Sequence, residues 1–172
     1  MALRGRALRA GLAAGLLAVS LASPALAGGK PEHIWTPGPA PFVFPAGLSC
    51  PFDVEWAFET KGVQVTTFPV QENGDQLVRQ TGNVTATVTN LENDRSITTN
   101  TSDRQDFLFH ADGTMDVRIN GRALAAYFPG DVGGPAMYLF IGHLDDTVTA
   151  SDFTVLRHSF SGKAIDLCAA LS

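Results

Sequence analysis

Asn83-Val84-Thr85-Ala86-Thr87-Val88-Thr89 decides the fold class. Val84, Ala86 and Val88 fall on one side of a two-residue repeat and the threonines on the other. Successive side chains of a strand point to opposite faces, so the stretch predicts a strand with one buried and one wet face. Met115, Val117 and Ile119 alternate with Asp116, Arg118 and Asn120 in the same way. Phe107 and Phe109 bracket Leu108, which predicts a strand covered on both faces. Val63-Gln64-Val65-Thr66-Thr67-Phe68 and Arg95-Ser96-Ile97-Thr98-Thr99 are rich in β-branched residues that suit a pleated surface.

Turn chemistry punctuates these runs. Glu72-Asn73-Gly74-Asp75 and Ala111-Asp112-Gly113-Thr114 offer the positive φ of a tight hairpin. Asn90-Leu91-Glu92-Asn93-Asp94 predicts a longer reversal, and Asn120-Gly121 a turn or a bulge. Pro129-Gly130-Asp131-Val132-Gly133-Gly134-Pro135 is the longest irregular segment. Strands are then expected near 52–60, 62–70, 76–80, 83–90, 95–101, 105–110, 114–120, 122–128, 136–143 and 147–157. Residues 162–171 hold one short helical turn carrying Cys168. About eight to ten short strands joined by tight turns imply a single all-β antiparallel domain, a β-barrel favoured over a β-sandwich.

Upstream, Arg4, Arg6 and Arg9 precede an apolar run from Ala10 to Ala22, and Ser23-Pro24-Ala25-Leu26-Ala27 has small residues in an A-x-A arrangement. That is the pattern of a secretory signal peptide over 1–27, and the run is too short for a membrane span. Residues 28–45 contain Pro31, Pro37, Pro39, Pro41 and Pro45 and read as an extended arm, neither strand nor helix, leaving 46–172 as the β-domain. Trp35, Phe42 and Phe44 favour an arm laid against the core. Removing the signal takes three arginines and no acids, leaving nine basic against seventeen acidic side chains, a net of −8. Phosphate recognition runs on Lys and Arg, so nucleic acids and anionic lipid are poor partners for such a domain. The two cysteines, Cys50 and Cys168, are expected to pair in an oxidising compartment, which makes the protein secreted or envelope-associated.

Chemistry-bearing motifs are sparse. His33, His110, His143 and His158 show no H-x-H or H-E-x-x-H spacing, so no metal or other cofactor is implied, and they read as surface residues. No serine lies in G-x-S-x-G, and no phosphate-cradling glycine loop is present. Asp145-Asp146 reads as a solvated turn between two strands. The segment 125–140 stands out instead. Tyr127 and Phe128 precede the proline-glycine loop, Asp131 lies within it, and Met137, Tyr138 and Phe140 follow it. An aromatic-rimmed loop at a barrel mouth admits a small ligand, so Tyr127, Phe128, Asp131 and Tyr138 are the candidate ligand-binding residues.

Three strings, Phe44-Pro45-Ala46-Gly47-Leu48-Ser49-Cys50-Pro51-Phe52, Phe128-Pro129-Gly130-Asp131-Val132-Gly133-Gly134-Pro135 and Ile165-Asp166-Leu167-Cys168-Ala169-Ala170-Leu171, occur in an order and spacing that resembles a group of small secreted actinobacterial proteins. The resemblance implies export, one β-domain and the cysteine pair, and carries no functional residue across. The expectation is a non-catalytic binding domain for a small apolar or saccharide ligand, with Tyr127 and Tyr138 offering ring faces and hydroxyls. The rival readings are a small barrel enzyme of isomerase, cyclase or hydrolase type using Asp131, His143 or Asp145-Asp146, and an interaction module using the arm.

Overall fold

The computed structural model describes residues 30–101 and 104–172; the segment read as a signal peptide, 1–27, lies outside the described residues. The chain is all-β, with nine strands: β1 (Glu32–Thr36), β2 (Phe42–Phe44), β3 (Val54–Thr67), β4 (Gln76–Asn90), β5 (Ser96–Asn100), β6 (Arg104–Phe109), β7 (Thr114–Tyr127), β8 (Ala136–Thr149) and β9 (Val155–Asp166), followed by α1 (Leu167–Leu171). Every pairing is antiparallel, in the order β1-β3-β4-β6-β7-β8-β9, with β2 on β3 and β5 on β4. The path runs from β1 to β9 without closing.

Strand length is where the sequence reading is corrected. Breaks expected around 61, 81–82, 121 and 144–146 do not end strands: β3, β4, β7 and β8 each run straight through them. The residues at or near these points are glycines, which kink a strand without reversing it. Gly121 pairs with Gly142, and Gly142 with Gly162, so three glycines form a row across β7, β8 and β9 with φ of 122, 149 and 133°. Gly62, at a bulge in β3, stands beside Gly82 of β4. The segment 147–157, expected as one strand, is split by a turn at 150–154, and β9 continues to Asp166.

The glycine row folds β7–β9 over on themselves. Met115, Val117 and Ile119 before the row share one core with Ala123, Ala125 and Tyr127 after it. Phe140, Leu144, Val148 and Val155 complete that core from β8 and β9, with Val65, Val78 and Phe107 from the neighbouring strands. On the opposite face, Leu124, Ala126, Met137 and Leu139 pack in a second core against Phe44, Val54, Trp56, Ala86 and Val88. The second half of β7 and the first half of β8 are therefore buried on both faces. Trp56 is 1% exposed and donates its indole N–H to the Met137 sulfur at 3.2 Å.

The proline-rich segment joins the sheet. Its prolines lie outside the paired residues, and the stretches between them, β1 and β2, keep the donors a ladder needs and pair with β3. The chain's other end is fastened by α1. Asp166 caps it by accepting from the Ala169 N–H at 3.0 Å, Leu167 and Leu171 are buried, and Cys168 is bridged to Cys50.

Candidate functional site

A single extra residue aims a histidine inward. Thr147 pairs with Arg157 but Val148 pairs with Val155, so Leu156 is a bulge. Val155 and His158 are three apart and would face opposite ways in a regular strand; the bulge lets both face the first core, while Leu156 stays 49% exposed. His158 is thereby set opposite Asp146 of β8.

Asp146 is fully buried. One of its oxygens meets His158 Nδ1 at 2.7 Å, and the other accepts the Tyr127 hydroxyl at 2.9 Å. The Tyr127 oxygen also lies 3.0 Å from His158 Nδ1. Tyr127 ends β7, far along the strand from Val117, the ladder partner of Asp146. Only the folded-over sheet brings the three together. Burial raises the Asp146 carboxyl above its ordinary range, against the hydrogen bonds from His158 and Tyr127 that pull it down. Burial also pushes the Tyr127 phenol far up, reinforced by the Asp146 charge, so Tyr127 stays a hydrogen-bond donor.

Around this triad stands a wall of rings. Phe140 lies 4.5 Å from Phe160, 5.3 Å from Tyr138 and 5.5 Å from His158, centroid to centroid. Phe140 is buried, whereas His158 and Phe160 on the open edge strand β9 and Tyr138 on β8 are half-buried.

The residues singled out in the sequence part company here. Tyr127 and Tyr138 come together, 6.3 Å apart. Phe128 packs on Phe44 in the second core. The Asp131 carboxylate is held by the loop itself: it accepts the N–H of Phe128 at 2.6 Å and of Val155 at 3.0 Å, and Val132 N–H donates to the Val155 carbonyl. Asp131 thus fastens the β7–β8 turn to the start of β9. His143 is exposed beside Asn120, 2.8 Å away. Asp145 and Asp146 are not a turn: they lie inside β8, where alternation sends Asp146 into the core and Asp145 to the opposite face. His158, read as a surface residue, and Phe160, not singled out at all, are what the sequence reading missed. The inward direction of His158 depends on the bulge at Leu156, which no two-residue alternation marks.

A second polar cluster occupies the hairpin end. His110 Nδ1 is 3.2 Å from Asp75, and its Nε2 is 3.4 Å from Asp116, beside a shallow hollow of about 410 Å³. Partial burial opposes a charge on His110, but hydrogen bonds and charge from Asp116 and Asp75 outweigh it and raise its pKa. Burial likewise opposes charge on Asp116, and hydrogen bonds from Thr147 and His110 outweigh it, lowering its pKa. A histidine raised in the folded state stabilises fully below its unfolded pKa and loses that contribution as pH rises through the folded value. The melting temperature should therefore fall from slightly acid to slightly alkaline pH more steeply in the native protein than in His110→Gln; parallel curves from the two would contradict the pairing. Among the described residues, no group of three or more His, Cys, Asp or Glu side chains is arranged to hold a metal ion.

Comparison with family profiles, with curated proteins and with solved structures returns no match for this chain.

Proposed function

We propose that this is an exported, envelope-associated or extracellular binding domain that holds a small ring-bearing molecule, apolar or saccharide, against Tyr138, Phe160 and His158, with Phe140 behind them. The observation that carries the reading is the half-buried aromatic wall at the edge strand. Rings packed on one side and open on the other offer area at little entropic cost, and Tyr adds a hydroxyl. Exposed Leu156 at the bulge and Val132 on the fastened turn add apolar surface near the start of β9. Export is supported by the Cys50–Cys168 bridge together with the basic and apolar N-terminal pattern. No helix among the described residues is long and apolar enough to cross a membrane.

Tyr127 is too deeply built in to serve as a test residue, since its truncation would leave a core cavity costing about 3–5 kcal/mol. The test falls on Tyr138 and Phe160. Native mass spectrometry of protein recovered from its host's medium should show a discrete added mass that leaves on denaturation. The double variant Tyr138→Ala with Phe160→Ala should stay folded by circular dichroism and bind that molecule at least about tenfold more weakly. Unchanged affinity would remove the aromatic wall as the binding face.

A further inference from the structure

We infer that His158, oriented by Asp146, is a general base that takes a proton from a carbon acid seated on the aromatic wall, so that the domain isomerises its ligand as well as binding it. The inference rests on the aromatic wall being the ligand site, and it adds a chemistry to that reading. Three observations carry it. First, one histidine tautomer satisfies the buried carboxylate completely. The Tyr127 hydroxyl donates to one Asp146 oxygen and His158 Nδ1–H to the other. Both oxygens of a fully buried carboxylate are then satisfied, and the imidazole lone pair is left on Nε2. Second, the His158 side chain is 25% exposed while Asp146 is 0% exposed. The carboxylate thus holds the ring from behind, and a quarter of the side chain is open to solvent. Third, the bulge at Leu156 turns His158 inward, and bulges often serve to re-aim a side chain beside a site.

The surroundings select the substrate class. The half-buried rings of Phe160 and Tyr138, backed by buried Phe140, favour a planar, largely apolar molecule over a charged one. A ring ketone with an acidic C–H beside its carbonyl meets both requirements. Nε2 takes the proton, the C–H electron pair becomes the C=C of the enolate, and the negative charge passes to the carbonyl oxygen. The imidazolium then returns the proton to carbon. Return at the same carbon exchanges the hydrogen with solvent; return at a conjugated carbon moves the double bond. Neither outcome consumes an oxidant or a co-reactant. Asp146 acts as a positioning residue that stabilises the imidazolium while it exists.

The probe is 2-tetralone in D₂O, a fused-ring ketone whose deuterium uptake beside the carbonyl is read by NMR. The native protein should accelerate uptake saturably, by roughly a hundredfold over His158→Gln at equal concentration. His143→Gln, which alters an exposed histidine away from the wall, should match the native protein. Asp146→Asn keeps the side chain's shape; with its folded fraction measured by circular dichroism, it should lower kcat per folded molecule at least about tenfold and displace the pH dependence of uptake, which loss of folded protein alone would not displace. Uptake equal in the native protein and His158→Gln overturns the inference, whatever the probe does at the wall. Ring NMR shifts of Tyr138 and Phe160 on adding 2-tetralone then separate the two readings. Saturable shifts without His158-dependent uptake leave a binding face and no catalyst. No shifts and no uptake count against both.

Discussion

Replacing Gly142 by alanine is expected to prevent the domain from reaching its native state, and Gly162→Ala should do the same. A Cβ built at Gly142 would lie 2.1 Å from the Ser161 carbonyl oxygen, and one at Gly162 would lie 2.3 Å from that of Ile141. Both obstacles are backbone atoms of the paired strand, so no side-chain rotation relieves them. Both residues also hold φ values, 149 and 133°, that L side chains rarely adopt. The conformational penalty alone is about 1–3 kcal/mol. The steric overlap adds to it, and the sum approaches the roughly 5–15 kcal/mol that holds a domain of ordinary stability. Gly113 and Gly130 provide the control. They too have positive φ, but a Cβ there meets nothing within 4 Å. Gly113→Ala should cost only the conformational penalty, about 1–2 kcal/mol. Urea unfolding followed by circular dichroism distinguishes the cases. If Gly142→Ala unfolds at the same midpoint as Gly113→Ala, the glycine row is not what lets the strands cross so closely. The consequence reaches the site, because the fold-over at this row is what sets Tyr127 against Asp146.

The same row explains which parts of the fold were legible in the sequence. The two-residue alternation at 83–89 and 114–120 reports a half-buried strand directly, and both stretches lie within strands with the expected faces inward. Asn73-Gly74 and Asp112-Gly113 are real turns because a reversal needs positive φ. Gly62, Gly121 and Gly142 satisfy the same local requirement without reversing the chain. A glycine's permission is identical in a turn and in a kink; what separates them is whether the next residues pair with the preceding ones or with a neighbouring strand, and that is a long-range fact. The error at Asp145-Asp146 has the same origin. Two adjacent acids look solvated, yet in a strand adjacent residues face opposite ways, so one is exposed as readily as the other is buried. Asp146 tolerates burial because His158 and Tyr127 satisfy it, and both partners are supplied by tertiary structure. Tyr127 and Tyr138 were legible as a pair because they flank one loop. His158 was not, because its direction depends on a one-residue bulge that no periodicity announces.

Removing the bridge, by Cys50→Ser with Cys168→Ser or by reduction, should destabilise the domain by about 5 kcal/mol on chain-entropy grounds, since it closes a loop spanning a sequence separation of 118. That loop contains β3 through β9, so opening it frees almost the whole described sheet in the unfolded state. The folded state loses less, because other contacts hold the chain end in place. Leu167 and Leu171 stay in the second core, and Asn90 and Asn93 both donate to the Leu171 carbonyl, at 3.0 and 2.9 Å. Arg95 also reaches the Ser172 carbonyl. The expectation is therefore a reduced form with the same circular dichroism spectrum in buffer but a much lower urea midpoint. Thermal and urea unfolding with and without reductant measure this. A loss below about 1 kcal/mol would mean that the chain ends already associate in the unfolded ensemble and that the bridge constrains little. The direction of the effect bears on the proposed export. A bridge of this kind forms under oxidising conditions and not among cytosolic thiols. Before export the chain would lack its largest single constraint on the unfolded state, which favours the open form a translocating chain must adopt. On the proposed export the bond would then form and shift the balance towards the folded sheet, in which His158 and Phe160 of β9 stand beside Tyr138 of β8.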